Sequence, residues 1–263
     1  MNATIDVPSA GAWFEGHFPG RPMLPGVAEL ALVMDALARK AGHPVSLQGI
    51  AFARLRQLVL PGDRLELIAR ELTAREPEAA RLRIDLKRDN VLVANAELIL
   101  GTPQACSGGT TASIASTMQD ASVPRLDDLL PHRPPMRFLT AILQETPDGL
   151  TCTARIPARC AMVSGGNAPP VAAIEAAAQA AAAWEAFRRW RVAGHAVPRI
   201  GYLVALRDII FFTDRVPADR DLQVSVSLEA AAPPLTHYRI DVTLEGIPVT
   251  RGTIATFLAD DRT

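Results

Sequence analysis

The sequence predicts an α+β protein made of two similar units, each with one long buried helix followed by a meander of antiparallel strands. In each half of the 263 residues, an apolar run of good helix formers precedes segments that alternate between apolar and polar residues. The segments V-L-P-G-D-R-L-E-L (59–67) and R-V-P-A-D-R-D-L-Q-V (215–224) also occupy the same place in each half. Such correspondence indicates an internal repeat.

The first half begins with a loop and a helix. Residues 16–26 contain three prolines and three glycines, which disfavour regular structure, whereas residues 27–37 are apolar and predict a buried helix. About four antiparallel strands are expected after it, between turn signals. They are predicted at residues 46–60, 64–72, 81–86 and 91–100.

The second half follows a change in composition. Residues 102–122 are rich in Ser, Thr, Gly, Ala and Gln and contain no aromatic residue, which predicts a flexible linker. The expected units are therefore residues 1–101 and 123–263. Within the second unit we predict an Ala-rich helix at about 170–190 and strands at 138–144, 150–156, 201–212, 221–229, 237–245 and 249–258.

Composition narrows the class of protein. The chain is 49% hydrophobic and 21% charged with a net charge of −1, which is ordinary for a soluble globular protein and gives no global attraction to nucleic acid. The three cysteines form neither a metal motif nor a disulfide framework. Residues 1–10 do not resemble a signal peptide, and residues 168–184 are too short and polar to span a bilayer. We expect a cytoplasmic protein without a metal, cofactor or membrane partner.

The loop G-H-F-P-G-R-P-M-L-P-G-V at residues 16–27 closely resembles the active-site loop of the β-hydroxyacyl-[acyl-carrier-protein] dehydratases, which have the hotdog fold. The resemblance implies that His17 is catalytic and that a carboxylate fourteen positions later, on the partner subunit's helix, completes the site. That position holds Ala31. Glu29 lies about 200° around the helix from it and is expected to face away. Asp35, one turn beyond Ala31, is a fallback.

The second half resembles the same family in two places. Residues 129–136 read L-L-P-H-R-P-P-M, like the family's amino-terminal signature, and we interpret His132 there as structural. The helix sequence V-A-A-I-E-A-A-A-Q begins at Val171 and resembles the family's central helix, which implies that Glu175 is the catalytic acid and that Gln179 bonds it. The offset of 144 between Val27 and Val171 places Glu175 where the first half has Ala31.

The two halves therefore have complementary defects. The same offset places Ala161 where the first half has His17, so the second half has the acid without the histidine. The resemblance implies a double hotdog, a pseudo-dimer within one chain, with one complete site formed by His17 and Glu175. The Ala31 and Ala161 pseudo-site is expected to be inactive. The pairing is similar to the two dehydratase subunits of aryl polyene pathways, here joined in one chain.

The implied reaction is dehydration of a β-hydroxyacyl thioester. A histidine titrates near neutral pH and suits removal of the α-proton, while the helix start at Gly26 and Val27 offers amides to the developing enolate. Phe18, Pro25 and Gln179 are expected to complete the substrate-binding set. Apolar surroundings are expected to raise the pKa of Glu175 and keep it protonated as the acid. Whether His17 alone shuttles the proton stays open.

Two other functions and the identity of the partner stay open as well. A hotdog thioesterase would use the acid to activate water, and a non-catalytic partner would only bind acyl carrier protein. The resemblance implies an acidic acyl carrier protein bearing the β-hydroxyacyl thioester. A basic patch at the site entrance is therefore expected, either at Arg188, Arg189 and Arg191 or at Arg54 and Arg56, unless these arginines form an ordinary solvated face. The sequence indicates neither the length of the acyl chain nor whether the protein forms further oligomers.

Overall fold

The computed structural model describes residues 1–72, 80–103, 124–195 and 197–258. Residues 104–122 of the expected linker lie outside these ranges. The first unit contains β1 (Asn2–Asp6), α1 (Gly26–Ala41), β2 (Leu47–Leu55), β3 (Arg64–Leu72), β4 (Ala80–Arg88) and β5 (Val91–Leu100). The second unit contains α2 (Leu126–Leu129), β6 (Leu139–Thr146), β7 (Gly149–Ala154), β8 (Asn167–Ala168), α3 (Val171–Ala193), β9 (Gly201–Phe211), β10 (Val216–Pro217), β11 (Leu222–Ala232), β12 (Leu235–Leu244) and β13 (Ile247–Leu258).

The strands of both units join in one antiparallel sheet. Its eleven strands run in the order β1-β3-β4-β5-β2-β9-β13-β12-β11-β7-β6, while β8 and β10 pair separately. The two units meet where β2 pairs with β9, with Gly49 opposite Ile210 and Arg54 opposite Ala205. A side chain at Gly49 would lie 2.6 Å from the Ile209 carbonyl oxygen, so the close approach of the strands requires glycine there. The predicted continuous sheet is confirmed.

The two long helices, α1 and α3, contact each other, and α3 also packs on β7 and β11. Alanine is the best helix former, and the small side chains of α3 allow it to be buried on nearly every face. Both helices end at a glycine in the left-handed conformation, Gly42 and Gly194, whose amide bonds the carbonyl four residues earlier. Sequence reasoning placed both helices correctly and ended them a few residues early.

The hydrophobic core is continuous across the two units. It includes α1 residues such as Val33, α3 residues such as Ala176, and inward-facing residues of both halves of the sheet. The five-residue edge strand β1, which pairs with β3, was not predicted from the sequence. No helix in the described ranges combines the length and the hydrophobicity needed to cross a membrane.

Candidate active site

His17 is held in one orientation by the loop that precedes α1. Its Nδ1 lies 3.0 Å from the Met23 carbonyl oxygen, which can only accept, so Nδ1 carries the proton and donates. Nε2 is then left with a free lone pair. The Met23 amide bonds back to the His17 carbonyl, and Phe18 and Arg21 exchange two backbone hydrogen bonds. The Pro- and Gly-rich sequence therefore forms a stiff loop that presents Nε2 as a base.

A second loop, from the other unit, approaches His17. The Arg133 amide donates to the Gly16 carbonyl at 3.0 Å, which ties the two loops together. The Arg133 guanidinium bonds the carbonyl oxygens of Leu130 and His132 at 2.7 and 2.9 Å, and so orders the residues around His132. The P-H-R segment thus places the His132 ring 5.4 Å from the His17 ring, measured between centroids.

Glu175 comes from the first turns of α3 and is bonded by Gln179, one turn later. Gln179 Nε2 donates to Glu175 Oε1 at 3.0 Å and to the Met136 carbonyl at 2.7 Å. The Gln179 amide oxygen accepts from the Phe138 backbone at 2.8 Å. The expected bond between Gln179 and the carboxylate is present, and it also anchors α3 to the loop that carries His132.

His17, His132 and Glu175 form one buried cluster. His132 Nε2 lies 3.4 Å from Glu175 Oε1, and His132 Nδ1 has no hydrogen-bond partner among the described residues. The candidate ligand atoms of the three side chains all lie within 4.8 Å of one another. The structure therefore brings His17 and Glu175 together, as predicted, and adds His132. No periodicity or spacing along the chain indicated that His132 would lie beside them.

The charges of this cluster differ from expectation at Glu175. Burial lowers the pKa of His17 to about 4, although the Glu175 carboxylate opposes the shift, so the imidazole is neutral at pH 7. Burial by itself raises the pKa of Glu175, but the hydrogen bonds from His132 and Gln179 and the electrostatic interactions with the two imidazole groups outweigh it. The pKa of Glu175 is consequently lowered. The expectation of a protonated Glu175 is wrong because its apolar surroundings include three polar partners.

The same three side chains could hold a divalent cation, since two imidazoles and a carboxylate are a common donor set. The fit is partial, because the Met23 carbonyl already occupies His17 Nδ1 and because Gln179 already bonds Glu175 Oε1. One nitrogen on each histidine and the second carboxylate oxygen would have to serve as ligands. Chelation experiments can decide whether a metal binds there.

A cavity of about 840 Å³ contains the cluster and extends along α3. Glu175, Ala178, Ala182, Glu185 and Arg189 line it, at intervals of three and four residues, so one stripe of the helix forms its wall. From Glu175 to Arg189 the helix advances by fourteen residues, which at 1.5 Å per residue makes this part of the wall roughly 21 Å long. The alanine side chains leave the space that larger residues would fill.

Only some of the residues predicted to bind substrate line the cavity. Gly26 lines the cavity, and Phe18 stacks on the His17 ring at 4.1 Å between centroids. Pro25 and Val27 are buried and are not part of the described cavity wall. The Pro25 carbonyl accepts from the amides of Ala28 and Glu29, so the amides of Gly26 and Val27 are the ones left at the start of α1.

Glu29 and Asp35 are the two acids of α1 near Ala31, the position that lacks the family's acid. The rotation of about 200° does separate Glu29 from that position, but it turns Glu29 into the wall of the cavity that holds His17. The expectation that Glu29 faces away from the site is therefore wrong. Asp35 is exposed and does not line the cavity.

The candidate basic residues divide between the cavity and the surface. Arg56, Arg188, Arg189 and Arg199 line the cavity, and Arg188 stacks over the Trp184 ring at 4.7 Å. Arg191 instead pairs with Glu145 at 2.6 Å. Arg56 and Arg188 are exposed, so positively charged parts of the cavity wall reach the surface. Members of both predicted arginine groups thus line the same cavity.

Comparison with known proteins identifies the two halves separately. Residues 124–263 match the ApeP-like family, described as ApeP dehydratase, and residues 1–96 match the ApeI-like family, described as ApeI dehydratase. FabZ of Syntrophobacter fumaroxidans, a 3-hydroxyacyl-[acyl-carrier-protein] dehydratase, is 34% identical over 110 residues. The matched segment spans 37% of this chain and 69% of that protein.

Solved structures show the same fold along the whole chain. The PpsC dehydratase domain from Mycobacterium tuberculosis, in complex with C12:1-CoA, is 15% identical with a TM-score of 0.67, covering 98% of this chain and 93% of that one. A putative thioesterase from Novosphingobium aromaticivorans is 17% identical with a TM-score of 0.56, covering 98% and 96%. The double hotdog is therefore confirmed. From these matches, the chain belongs to the β-hydroxyacyl dehydratases of the hotdog fold, as a fused pair with an ApeI-like first half and an ApeP-like second half.

Proposed function

We propose that this protein converts β-hydroxyacyl thioesters, carried on acyl carrier protein, to trans-2-enoyl thioesters in fatty-acid-like or polyene biosynthesis. The reaction takes place at one composite site, with His17 from the first unit and Glu175 from the second. The observation that carries the proposal is the buried cluster of these two side chains inside a cavity large enough for an acyl thioester.

The proposed base is Nε2 of His17. Its neutral imidazole removes the α-proton, and the amide of Gly26, which lines the cavity, binds the negative charge that develops on the thioester oxygen. The imidazolium then returns the same proton to the departing β-hydroxyl, so water leaves and the base is regenerated. The lowered pKa of Glu175 favours this assignment over a protonated acid, since an ionised carboxylate has no proton to give.

Glu175 and His132 support the proton transfer. The Glu175 carboxylate stabilises the imidazolium electrostatically and accepts a hydrogen bond from the β-hydroxyl before it leaves. His132, with its Nε2 directed at the carboxylate, acts as a positioning residue that keeps Glu175 ionised and in place. Its role goes beyond the structural one that the sequence suggested.

The carrier protein delivers its thioester through the arginine-lined entrance. Arg56 and Arg188 are the exposed arginines of the cavity wall, and Arg188 lies thirteen residues, about 20 Å of helix rise, from Glu175 along α3. A positive rim attracts the acidic carrier at low ionic strength, and the apolar tunnel accepts the extended arm. Charge reversal at Arg56 and Arg188 should raise the KM for carrier-bound substrate but not for small thioesters.

A thioesterase is the second candidate, because a putative thioesterase shares the fold and because an ionised Glu175 could activate water. Product analysis separates the two activities. We expect the purified chain to convert a series of β-hydroxyacyl carrier-protein thioesters to enoyl thioesters lighter by one water, followed by mass spectrometry. His17→Ala should abolish the reaction, and EDTA should leave it unchanged. Release of free acid with no enoyl product would contradict the proposal.

A further inference from the structure

Glu29 is a buried acid in the substrate cavity that the dehydration mechanism does not use. Its side chain lines the cavity, the residue is 3% exposed, and its Oε2 has no hydrogen-bond partner among the described residues. An unsatisfied buried polar atom is costly, and native proteins retain few of them. Because Glu29 lies in the wall of a ligand cavity, a bound ligand can supply the hydrogen-bond partner that Oε2 lacks.

The position of Glu29 relative to Gly26 limits which atoms of a bound thioester the Glu29 carboxyl group can contact. Both residues lie on α1 and both line the cavity, three residues and roughly 4.5 Å of helix rise apart. The Glu29 amide is bonded to the Pro25 carbonyl, so the backbone of Glu29 is fixed at the start of the helix. A thioester carbonyl held at Gly26 would bring its own neighbouring atoms, on either side, within reach of the Glu29 carboxyl.

We propose that Glu29 binds an uncharged hydrogen-bonding group, an amide or a hydroxyl, of the thioester in this cavity. The inference rests on the proposed function insofar as the ligand is a thioester. The amide would come from the pantetheine-type arm, whereas the hydroxyl would come from an oxygenated acyl chain. Both sources share the same chemistry, which is a neutral polar group that pairs with a buried carboxyl group in the cavity wall.

The electrostatic surroundings of Glu29 agree with a neutral ligand. Burial raises its pKa well above the ordinary value, and no neighbouring cation opposes the shift. A protonated carboxyl both donates and accepts, which matches an amide or a hydroxyl. A cationic ligand would instead favour the ionised form, and a purely hydrocarbon ligand would leave Oε2 unpaired.

The test measures binding rather than turnover, with saturated acyl thioesters that cannot be dehydrated. Three thiols are compared, ethanethiol, N-acetylcysteamine and pantetheine, which carry no, one and two amides. Each thiol is acylated either with an unsubstituted saturated chain or with a saturated chain that carries one distal hydroxyl group. The position of this hydroxyl is varied from ligand to ligand. Kd is measured by calorimetry for the wild type, Glu29→Leu, Glu29→Gln and the control Asp35→Leu, which removes a carboxyl from the exposed part of the same helix.

We expect Glu29→Leu to weaken binding about tenfold for ligands that carry the recognised group and to leave the others unchanged. The ligand at which the loss first appears identifies the source, amide or hydroxyl. Glu29→Gln should retain the affinity within about threefold, because an amide also donates and accepts. Asp35→Leu should bind like the wild type throughout.

Two results would overturn the proposal. One is a loss in Glu29→Leu that is equal for every ligand, including the plain ethanethiol ester, which would indicate a structural role. The other is an unchanged Kd in both Glu29 variants, whether or not dehydration is lost. If Glu29→Leu does not fold, Glu29→Met takes its place, since methionine is a flexible apolar side chain that provides no hydrogen-bond donor for the ligand, and the same ligand dependence is expected. Failure of the wild type to form enoyl products would contradict the proposed reaction without affecting these binding comparisons.

Discussion

The chemistry of the candidate site depends on which of its buried side chains carries charge at neutral pH. Burial makes His17 a neutral base and the hydrogen bonds of Glu175 keep that carboxyl ionised. The titration of His17 also makes the free energy of unfolding depend on pH. Its pKa in the folded protein, about 4, lies below the ordinary 6.5, so its contribution is complete above about pH 6.5 and is lost as the pH falls toward 4.

The titration of His17 can be shifted in opposite directions by its two neighbours. The Glu175 carboxylate raises the pKa of His17 and the His132 ring lowers it. Glu175→Gln should therefore lower the pKa of His17 further, while His132→Gln should raise it toward 6.5. NMR titration of the imidazole measures both shifts without requiring activity. A wild-type midpoint near 6.5, or shifts of the same sign in both variants, would contradict this electrostatic account.

Truncation of Glu175 should cost stability as well as activity. Helix propensity alone favours alanine at position 175, but the carboxylate pairs with His132 and Gln179. Without it the His132 ring would be buried with no partner, a loss of about 1–3 kcal/mol in the free energy of unfolding. Urea denaturation should show that loss for Glu175→Ala and a smaller one for Glu175→Gln. Equal stability of Glu175→Ala and wild type would show that the pairing contributes little.

At the scale of single elements, the contact between the two loops is the feature that aligns the catalytic groups. Gly16 and Gly20 lie in the same loop and both have positive φ angles, +81° and +74°. They differ in their surroundings. A Cβ on Gly16 would lie 1.8 Å from the Arg133 carbonyl oxygen, whereas a Cβ on Gly20 would meet nothing within 4 Å.

These two glycines provide a matched pair of variants. Gly20→Ala should cost about 1 kcal/mol from backbone strain alone and should retain dehydration. Gly16→Ala should additionally push the loops apart, because backbone rather than a flexible side chain blocks the new methyl group. We expect a loss of at least about tenfold in kcat/KM, measured with a small thioester. Equal activity of the two variants would mean that the loop contact does not position His17.

At the scale of the whole molecule, both members of the composite site lie in one chain. His17→Ala chains lack the base and Glu175→Ala chains lack the carboxylate, so mixing the two inactive proteins should restore nothing. The measurement is enoyl formation after mixing in equal amounts, with and without mild denaturation and refolding. Recovered activity would show that the two residues meet between chains.

The sequence predicts much of this architecture and only part of the site. Helix composition and strand alternation are local signals, which is why α1, α3 and most strands were found within a few residues. The positions of His17 and Glu175 followed from motif resemblance. The contact of His132 with Glu175 and the place of Glu29 in the cavity wall were not predicted, because both depend on long-range geometry. Neither the contact between His132 and Glu175, which are 43 positions apart, nor the packing of α1 produces a periodic pattern in the sequence.

The pairing of β2 with β9 joins two units whose equivalent residues are encoded separately. In a symmetric homodimer one mutation alters both sites, so a residue that helps one copy must be tolerated in the other. Here Glu29 corresponds to Ala173, and Ala31 to Glu175, each pair encoded by different codons. Under the proposed single site, selection for catalysis acts on one side of the pseudo-twofold axis. The side around Ala31 and Ala161 is constrained by packing alone, so it can drift and could accept a newly designed function.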